Sequence, residues 1–359
     1  MQSNNRVIIA SAGSGKTTKI VRESIESNKK ILILTYTNDN LQEIKKKFIE
    51  VNGIIPFNIN IMSWFSFLLR EAVRPYQACI YDRKRISNID FVNGQSTRYV
   101  KKTDVEKYYL KNGENIYTDK MSEFVTICNS KTKGAVIKRL SEIYDYIYID
   151  EVQDLAGYDL DIIELLLKSD MKITLVGDIR QATYTTNNST KNKKYLGVNI
   201  IDLFKVYEKK QLCSIIFQNE SYRCNQEICN LADSLYPKLP ATVSKNTTIT
   251  NHDGLFIVNN KNVQDYIKIF SPKILRYDKR TSFDSKNILN FGQSKGLTFD
   301  RILIIPNLKF EKYLITGDIS NIAKSKAKVY VALTRARYSV AFLCDKEVKL
   351  DSFKKWNVE

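Results

Sequence analysis

The octapeptide Ala10-Ser11-Ala12-Gly13-Ser14-Gly15-Lys16-Thr17 stands directly after an apolar run (6–10) and directly before a helical one. No other feature restricts the fold as much. Glycines at 13 and 15 let main-chain N–H groups turn inward around an anion, and a helix starting near Lys16 points its partial positive end at the same place. The segment matches G-x-x-x-x-G-K-[ST], with Ala10 in the first glycine position. Lys16 supplies a charge for the terminal phosphates of a nucleotide, and Thr17 a hydroxyl for Mg²⁺. Residues Ala12 to Thr18 are therefore the expected nucleotide-binding loop.

The rest of the chain alternates short continuous apolar runs with amphipathic ones. Residues 31–35, 59–62, 146–150 and 173–177 read as further strands of the first half, with helices over 38–48 and 158–168. In the second half, 213–217, 255–259, 273–277, 301–305 and 339–343 read as strands, with helices over 225–235 and 320–333. Apolar runs without alternation suit parallel sheets buried on both faces, so the fold class is α/β. The polar stretch 185–194 marks the expected boundary, giving domains 1–187 and 188–359. Residues 71–145 break the alternation and read as a small helical insertion. Segment 83–139 of it carries 13 basic and 6 acidic residues.

Composition removes several chemistries. The six cysteines have no Cys-x-x-Cys spacing, so a zinc site, a structural metal and a disulfide framework are not expected. The one histidine, His252, leaves little room for imidazole catalysis. No apolar window is long enough for a membrane span, and the N-terminus carries no export signal, so a cytoplasmic protein without a membrane partner is expected. Lys and Arg number 56 against 39 Asp and Glu, a formal charge of +17, with +4 of it in residues 1–187 and +13 beyond. That excess suits a polyanion partner.

Tyr146-Ile147-Tyr148-Ile149-Asp150-Glu151-Val152-Gln153-Asp154 narrows the reaction. A carboxylate at the end of a buried strand sits beside the phosphate loop in such folds. Asp150 is placed to hold Mg²⁺, and Glu151 to orient and deprotonate a water.

Motifs in this order resemble the UvrD/Rep family of superfamily 1 helicases. Besides residues 10–17 and 150–154, they are Thr35-Tyr36-Thr37-Asn38, Ser63-Trp64-Phe65, Gly177-Asp178-Ile179-Arg180-Gln181-Ala182-Thr183-Tyr184, Ser221-Tyr222-Arg223, Gln293-Ser294-Lys295-Gly296-Leu297-Thr298-Phe299 and Val331-Ala332-Leu333-Thr334-Arg335-Ala336-Arg337. The resemblance implies two RecA-like parallel-sheet domains of P-loop NTPase type, with nucleotide between them. It implies ATP and Mg²⁺ as cofactors, single-stranded DNA as partner, and movement from 3′ to 5′. It assigns catalysis to Lys16, Asp150, Glu151, Gln181, Arg223 and Arg335, with Gln181 sensing the γ-phosphate and both arginines reaching it. Thr17 and Asp150 are the implied metal ligands. Tyr222 stacks on the base, and Gly296 joins the nucleotide contacts. Tyr36, Thr37, Asn38, Ser63, Trp64, Tyr184 and Lys295 are the implied DNA contacts.

The sequence departs from the family at three positions. Thr186 stands where a base-stacking aromatic is common, Gly292 where His is common, and Thr298 where Glu is common. The second half also lacks room for a large accessory insertion. The leading reading is a minimal DNA-stimulated ATPase of helicase type. The alternative is a helicase-like regulatory or sensing subunit, acting with a nuclease in an anti-phage or mobile-element complex, similar to the helicase-like subunit of Gabija.

Overall fold

The apolar runs pair side by side, as their lack of alternation requires. The computed structural model describes residues 4–187, 189–285, 287–349 and 352–357. Contacts divide them into two units, one holding residues up to Ile9 and Lys16–Ile216, the other Ala10–Gly15 and Phe217 onward.

The first unit opens with β1 (Arg6–Ala10), α1 (Lys16–Ile25), β2 (Ile31–Thr35), α2 (Asn38–Asn52), β3 (Ile59–Ser63) and the short α3 (Trp64–Phe67). The insertion follows, with β4 (Asn88–Asp90), α4 (Val105–Tyr109), β5 (Leu110–Lys111), β6 (Asn115–Tyr117), α5 (Thr118–Lys131) and α6 (Ala135–Ile143). The unit then returns through β7 (Tyr146–Ile149), α7 (Asp159–Leu167), β8 (Lys172–Gly177), α8 (Ile200–Lys209) and β9 (Ser214–Gln218). The sheet order is β3-β2-β7-β8-β1-β9. The pairs β1/β8, β2/β3, β2/β7 and β7/β8 are parallel. All five residues of β2 are buried, which fits a strand covered on both faces. β8 lies between the phosphate-loop strand and β7, whose end carries the acidic pair.

The second unit contains β10 (Glu220–Ser221), α9 (Gln226–Ser234), β11 (Val243–Ser244), β12 (Gly254–Val258), α10 (Val263–Phe270), β13 (Lys273–Arg276) and β14 (Ile288–Asn290). It ends with β15 (Phe299–Ile305), α11 (Leu308–Thr316), α12 (Lys326–Leu333), β16 (Ala336–Leu343) and β17 (Lys354–Trp356). Its sheet runs β14-β13-β15-β16-β12-β17, parallel throughout. Part of its core gathers Phe256, Val263, Tyr266, Ile274, Leu303 and Ala341, with Trp356 packed against them. His252 is sandwiched there between Phe256 and Phe270, each ring centroid 3.8 Å away, and its Nε2 lies 2.8 Å from the Tyr266 hydroxyl. Both units are parallel α/β sheets, the RecA-like pair that the motif order implies. No helix among the described residues is long and apolar enough to cross a membrane.

Four expectations change. The division falls at 216/217 instead of 187/188. On either side of residue 188, the polar stretch is stitched down within the first unit. Asn187 Nδ2 donates to Asp119 O at 3.2 Å and Asn192 Nδ2 to Gly157 O at 2.9 Å. Asn188, where the second domain was expected to begin, lies outside the described residues. The run 213–217, expected in the second sheet, supplies edge strand β9 of the first, where Ser214 N donates to Asn5 O at 3.0 Å. The insertion is mixed, not helical. Asn112 and Gly113 both have positive φ and turn β5 antiparallel onto β6, a hairpin signal present in the sequence. Finally, 320–333 breaks into a 3₁₀ turn at Ile319–Ile322, capped by Asp318, and α12 from Lys326.

Candidate nucleotide and nucleic-acid site

α1 begins at Lys16 with no acidic residue in its first turn, which leaves its positive end uncancelled. Within the first unit Lys16 Nζ lies 3.2 Å from Glu151 Oε1. Burial favours the neutral amine, but the carboxylates of Glu151, Asp150 and Asp178 outweigh it and raise the lysine pKa above its ordinary value. Burial, then the neighbouring Glu151 charge, pushes the Asp150 carboxyl upward. Glu151 adopts a left-handed backbone, φ +57°, unusual for a residue with a side chain and of the kind that marks working sites. Its other carboxylate oxygen accepts from Gln153 Nε2.

β8 ends in Gly177 against this group. A Cβ there would come within 2.2 Å of Gln153 Oε1 and force that side chain to shift. Beyond it, buried Asp178 accepts from Gln181 Nε2 at 2.8 Å and Arg180 N at 3.1 Å. The first unit thus brings Lys16, Asp150, Glu151 and Asp178 together, with Gln181 tied to Asp178. Asp178 and Gln153 stand inside the motifs, but their sequence did not disclose these contacts.

Ala10–Gly15 belongs with the second unit and is held there by side chains and main chain. Ser221 Oγ donates to Ala12 O at 2.8 Å, Tyr222 N to Gly13 O at 2.9 Å, and Gln218 Nε2 to Ser14 O at 2.7 Å. Ser11 Oγ meets Thr242 Oγ1 at 2.9 Å. Gly13 has φ +75°, and a Cβ on it would stand 2.6 Å from Arg223 Cβ. Gly15, φ +79°, faces open space. The buried hydroxyl of Ser14 has no hydrogen-bond partner among the described residues, as a loop shaped for an external acceptor would leave it.

Tyr222 is exposed, with its hydroxyl 3.0 Å from Glu220 Oε2. Arg223 is half-buried and donates to Thr334 O at 3.1 Å. Arg335 is 2% exposed. Its guanidinium donates to Val331 O at 2.9 Å, Leu297 O at 3.2 Å and Thr334 Oγ1 at 3.3 Å. Reaching a phosphate would require exchanging some of these bonds. Lys295 is half-buried and Gly296, φ +87°, exposed.

Among the expected DNA contacts, Asn38 and Tyr184 are exposed, and Tyr36, Thr37 and Ser63 are half-buried. Thr37 and Ser63 also cap α2 and α3 through their hydroxyls. Trp64 is a correction. It is 1% exposed, and its Nε1 donates to Asp159 Oδ1 at 2.9 Å, so its ring offers no face to a base. Buried Asp159 also accepts from Ser122 Oγ and Thr186 Oγ1. Thr186 is therefore interior, and Asp159 is an organising residue that the sequence analysis missed. Its only sequence signal was an acid in the first turn of a helix.

A protein-family model described as an AAA domain matches residues 1–187, more than half of the sequence. The chain belongs to the AAA domain family. Its motif set makes this AAA-domain chain UvrD/Rep-like, within superfamily 1. A probable DNA helicase II homologue of Mycoplasma capricolum subsp. capricolum is 25% identical to it over 315 residues, covering 71% of this chain and 40% of that protein. Among solved structures, Arterivirus nonstructural protein 10, a helicase, aligns with a TM-score of 0.49 and 10% identity over 96% of this chain and 62% of that one. The PRRSV helicase aligns with a TM-score of 0.46 and 15% identity over 97% and 54%. The AAA-domain chain thus spans less than two thirds of each of these relatives.

Proposed function

We propose that the chain is the motor of an ATP-dependent DNA helicase of UvrD type. On this reading single-stranded DNA stimulates its ATP hydrolysis, and it moves 3′ to 5′. One observation carries the reading: Lys16, at the head of α1, lies 3.2 Å from Glu151, which follows Asp150 at the end of β7, the next strand but one from β1. The name of the Mycoplasma relative supports DNA as the track.

The loop N–H groups and the Lys16 ammonium bind the phosphates, and its raised pKa keeps the lysine charged while it does so. Two adjoining carboxylates against one ammonium leave a negative excess that suits a divalent cation. Mg²⁺ would be held by Thr17 and Asp150, and when bound it supplies positive charge to the phosphate oxygens. Glu151 orients the attacking water and receives its proton at a carboxylate oxygen. Gln181 reports the γ-phosphate, Arg223 and Arg335 serve the transferring phosphoryl group, and Tyr222 offers its exposed ring to the base. Tyr36, Thr37, Asn38, Ser63, Tyr184 and Lys295 serve the DNA.

The test is Glu151→Gln. It should still bind nucleotide, while steady-state phosphate release falls by at least about 10²-fold, because the water loses its base. Unchanged release removes the hydrolytic assignment. If release in the native chain is the same with and without single-stranded DNA, the motor reading gives way to that of a regulatory subunit.

A further inference from the structure

A cavity of about 440 Å³ opens in the first unit, in the insertion and the segment leading into it, and none of the residues discussed above lines it. Four arginines, Arg70, Arg74, Arg85 and Arg139, line it against the single carboxylate of Glu71. Arg70 and Glu71 lie on a π-helical turn, Leu68–Val73, closed by Arg74 N donating to Leu69 O at 3.0 Å. Such wide turns are rare and are frequent at functional sites.

Two of the arginines are fixed. Arg139 grips Glu71 with both terminal nitrogens at 3.2 Å, and also donates to Glu71 O at 3.1 Å. Among the described residues Arg74 donates only to main-chain carbonyls, Ile86 O at 3.0 Å and Ser87 O, so its charge meets no described carboxylate. Those carbonyls flank Arg85. On its other side Gln77 Nε2 donates to Lys84 O at 2.7 Å, while Gln77 Oε1 accepts from Ile86 N at 2.9 Å. The backbone around Arg85 is therefore bolted down from the π-turn side by two side chains. Its neighbours discharge elsewhere, Arg83 on Glu106 and Lys84 on Glu114. Arg70 and Arg85 are exposed and make no ion pair with a described carboxylate.

Three guanidiniums without a carboxylate among the described residues, lining one cavity, repel one another unless an anion joins them. Forked donors fit phosphate oxygens in pairs. All four arginines line one cavity of about 440 Å³, a space that suits a single group with concentrated charge. We propose that this cavity binds a phosphomonoester dianion, such as the terminal phosphate of a nucleic-acid strand or of a free mononucleotide.

The test is equilibrium calorimetry on the full chain without ATP, so that failure of the hydrolytic reading leaves it untouched. Two oligodeoxynucleotides of one sequence are compared, one with a 5′-phosphate and one with a 5′-hydroxyl, together with AMP. Each is titrated into the native chain and into Arg70→Ala/Arg85→Ala. Both positions are exposed, and matching melting temperatures would confirm an intact fold. Phosphate contacts elsewhere, the Lys16 loop included, cancel in the comparison between the two chains. The native chain should bind the 5′-phosphorylated strand, AMP, or both at least about tenfold more tightly than the double variant does. The strand alone identifies a nucleic-acid end, and AMP a free nucleotide. The difference should shrink at pH 5, where the phosphomonoester becomes a monoanion while the arginines stay charged. Equal affinities in both chains for every ligand overturn the proposal. So does an equal loss for the phosphorylated and hydroxyl strands with no change for AMP, which would mean contact with internal phosphodiesters.

Discussion

Arg223 and Arg335 are expected to do similar work, yet the protein holds them differently. Arg335 is interior, with three donors committed, whereas Arg223 is half-buried with one bond to Thr334 O. Arg335→Ala should therefore lower unfolding free energy by about 2–4 kcal/mol, and Arg223→Ala by about 1 kcal/mol or less, in urea titrations. Both should slow phosphate release. Equal stabilities would mean that the Arg335 bonds contribute nothing net. That Lys16 would meet Asp150 and Glu151 was legible because chemistry fixes the residue types of such a cluster. Asp159 was not, because its donors Trp64, Ser122 and Thr186 lie 95, 37 and 27 positions away, beyond any local pattern.

At the scale of elements, the strands of both main sheets could be read because burial on two faces demands unbroken apolar runs. What could not be read was the sheet that 213–217 joins. The residues of β9 are largely exposed or half-buried, so its pairing rests on main-chain bonds that leave no mark in composition. α3 shows the converse. Trp64 sits within a motif resembling a DNA contact, but the turn after β3 directs it inward to Asp159. Trp64→Ala should cost about 3–5 kcal/mol of stability through the cavity left and the lost donor. Trp64→Phe should cost less, with DNA affinity per folded molecule unchanged in both. A loss of DNA affinity at an unchanged melting temperature would restore the surface role.

For the molecule as a whole, acid sensitivity should be traceable to the second unit. Burial, and then the Arg301 guanidinium, hold the His252 imidazole down from 6.5 to about 4, with Lys354 adding to the effect and Asp253 opposing it. The folded state then takes up this proton less readily than the unfolded chain. The histidine's contribution to stability is complete above about pH 6.5, declines as pH falls towards 4, and levels off below that. Its upper bound is about 3 kcal/mol. Urea midpoints measured from pH 7.5 to 4 should fall in the native chain, and fall less steeply in His252→Phe. Parallel curves would mean that other groups carry the acid response.

The chain has two tryptophans, and the fold gives one to each unit. Trp64 is sealed in the first beside Phe67, and Trp356 lies against Tyr266 and Phe270 in the second. Tryptophan fluorescence, excited selectively over that of the tyrosines, is thus divided between the halves without any label. A Trp356→Phe chain would emit only from the interior of the first unit, and a Trp64→Phe chain only from the second. Recorded side by side under denaturant, the two spectra would show whether both sheets melt in one transition or one after the other.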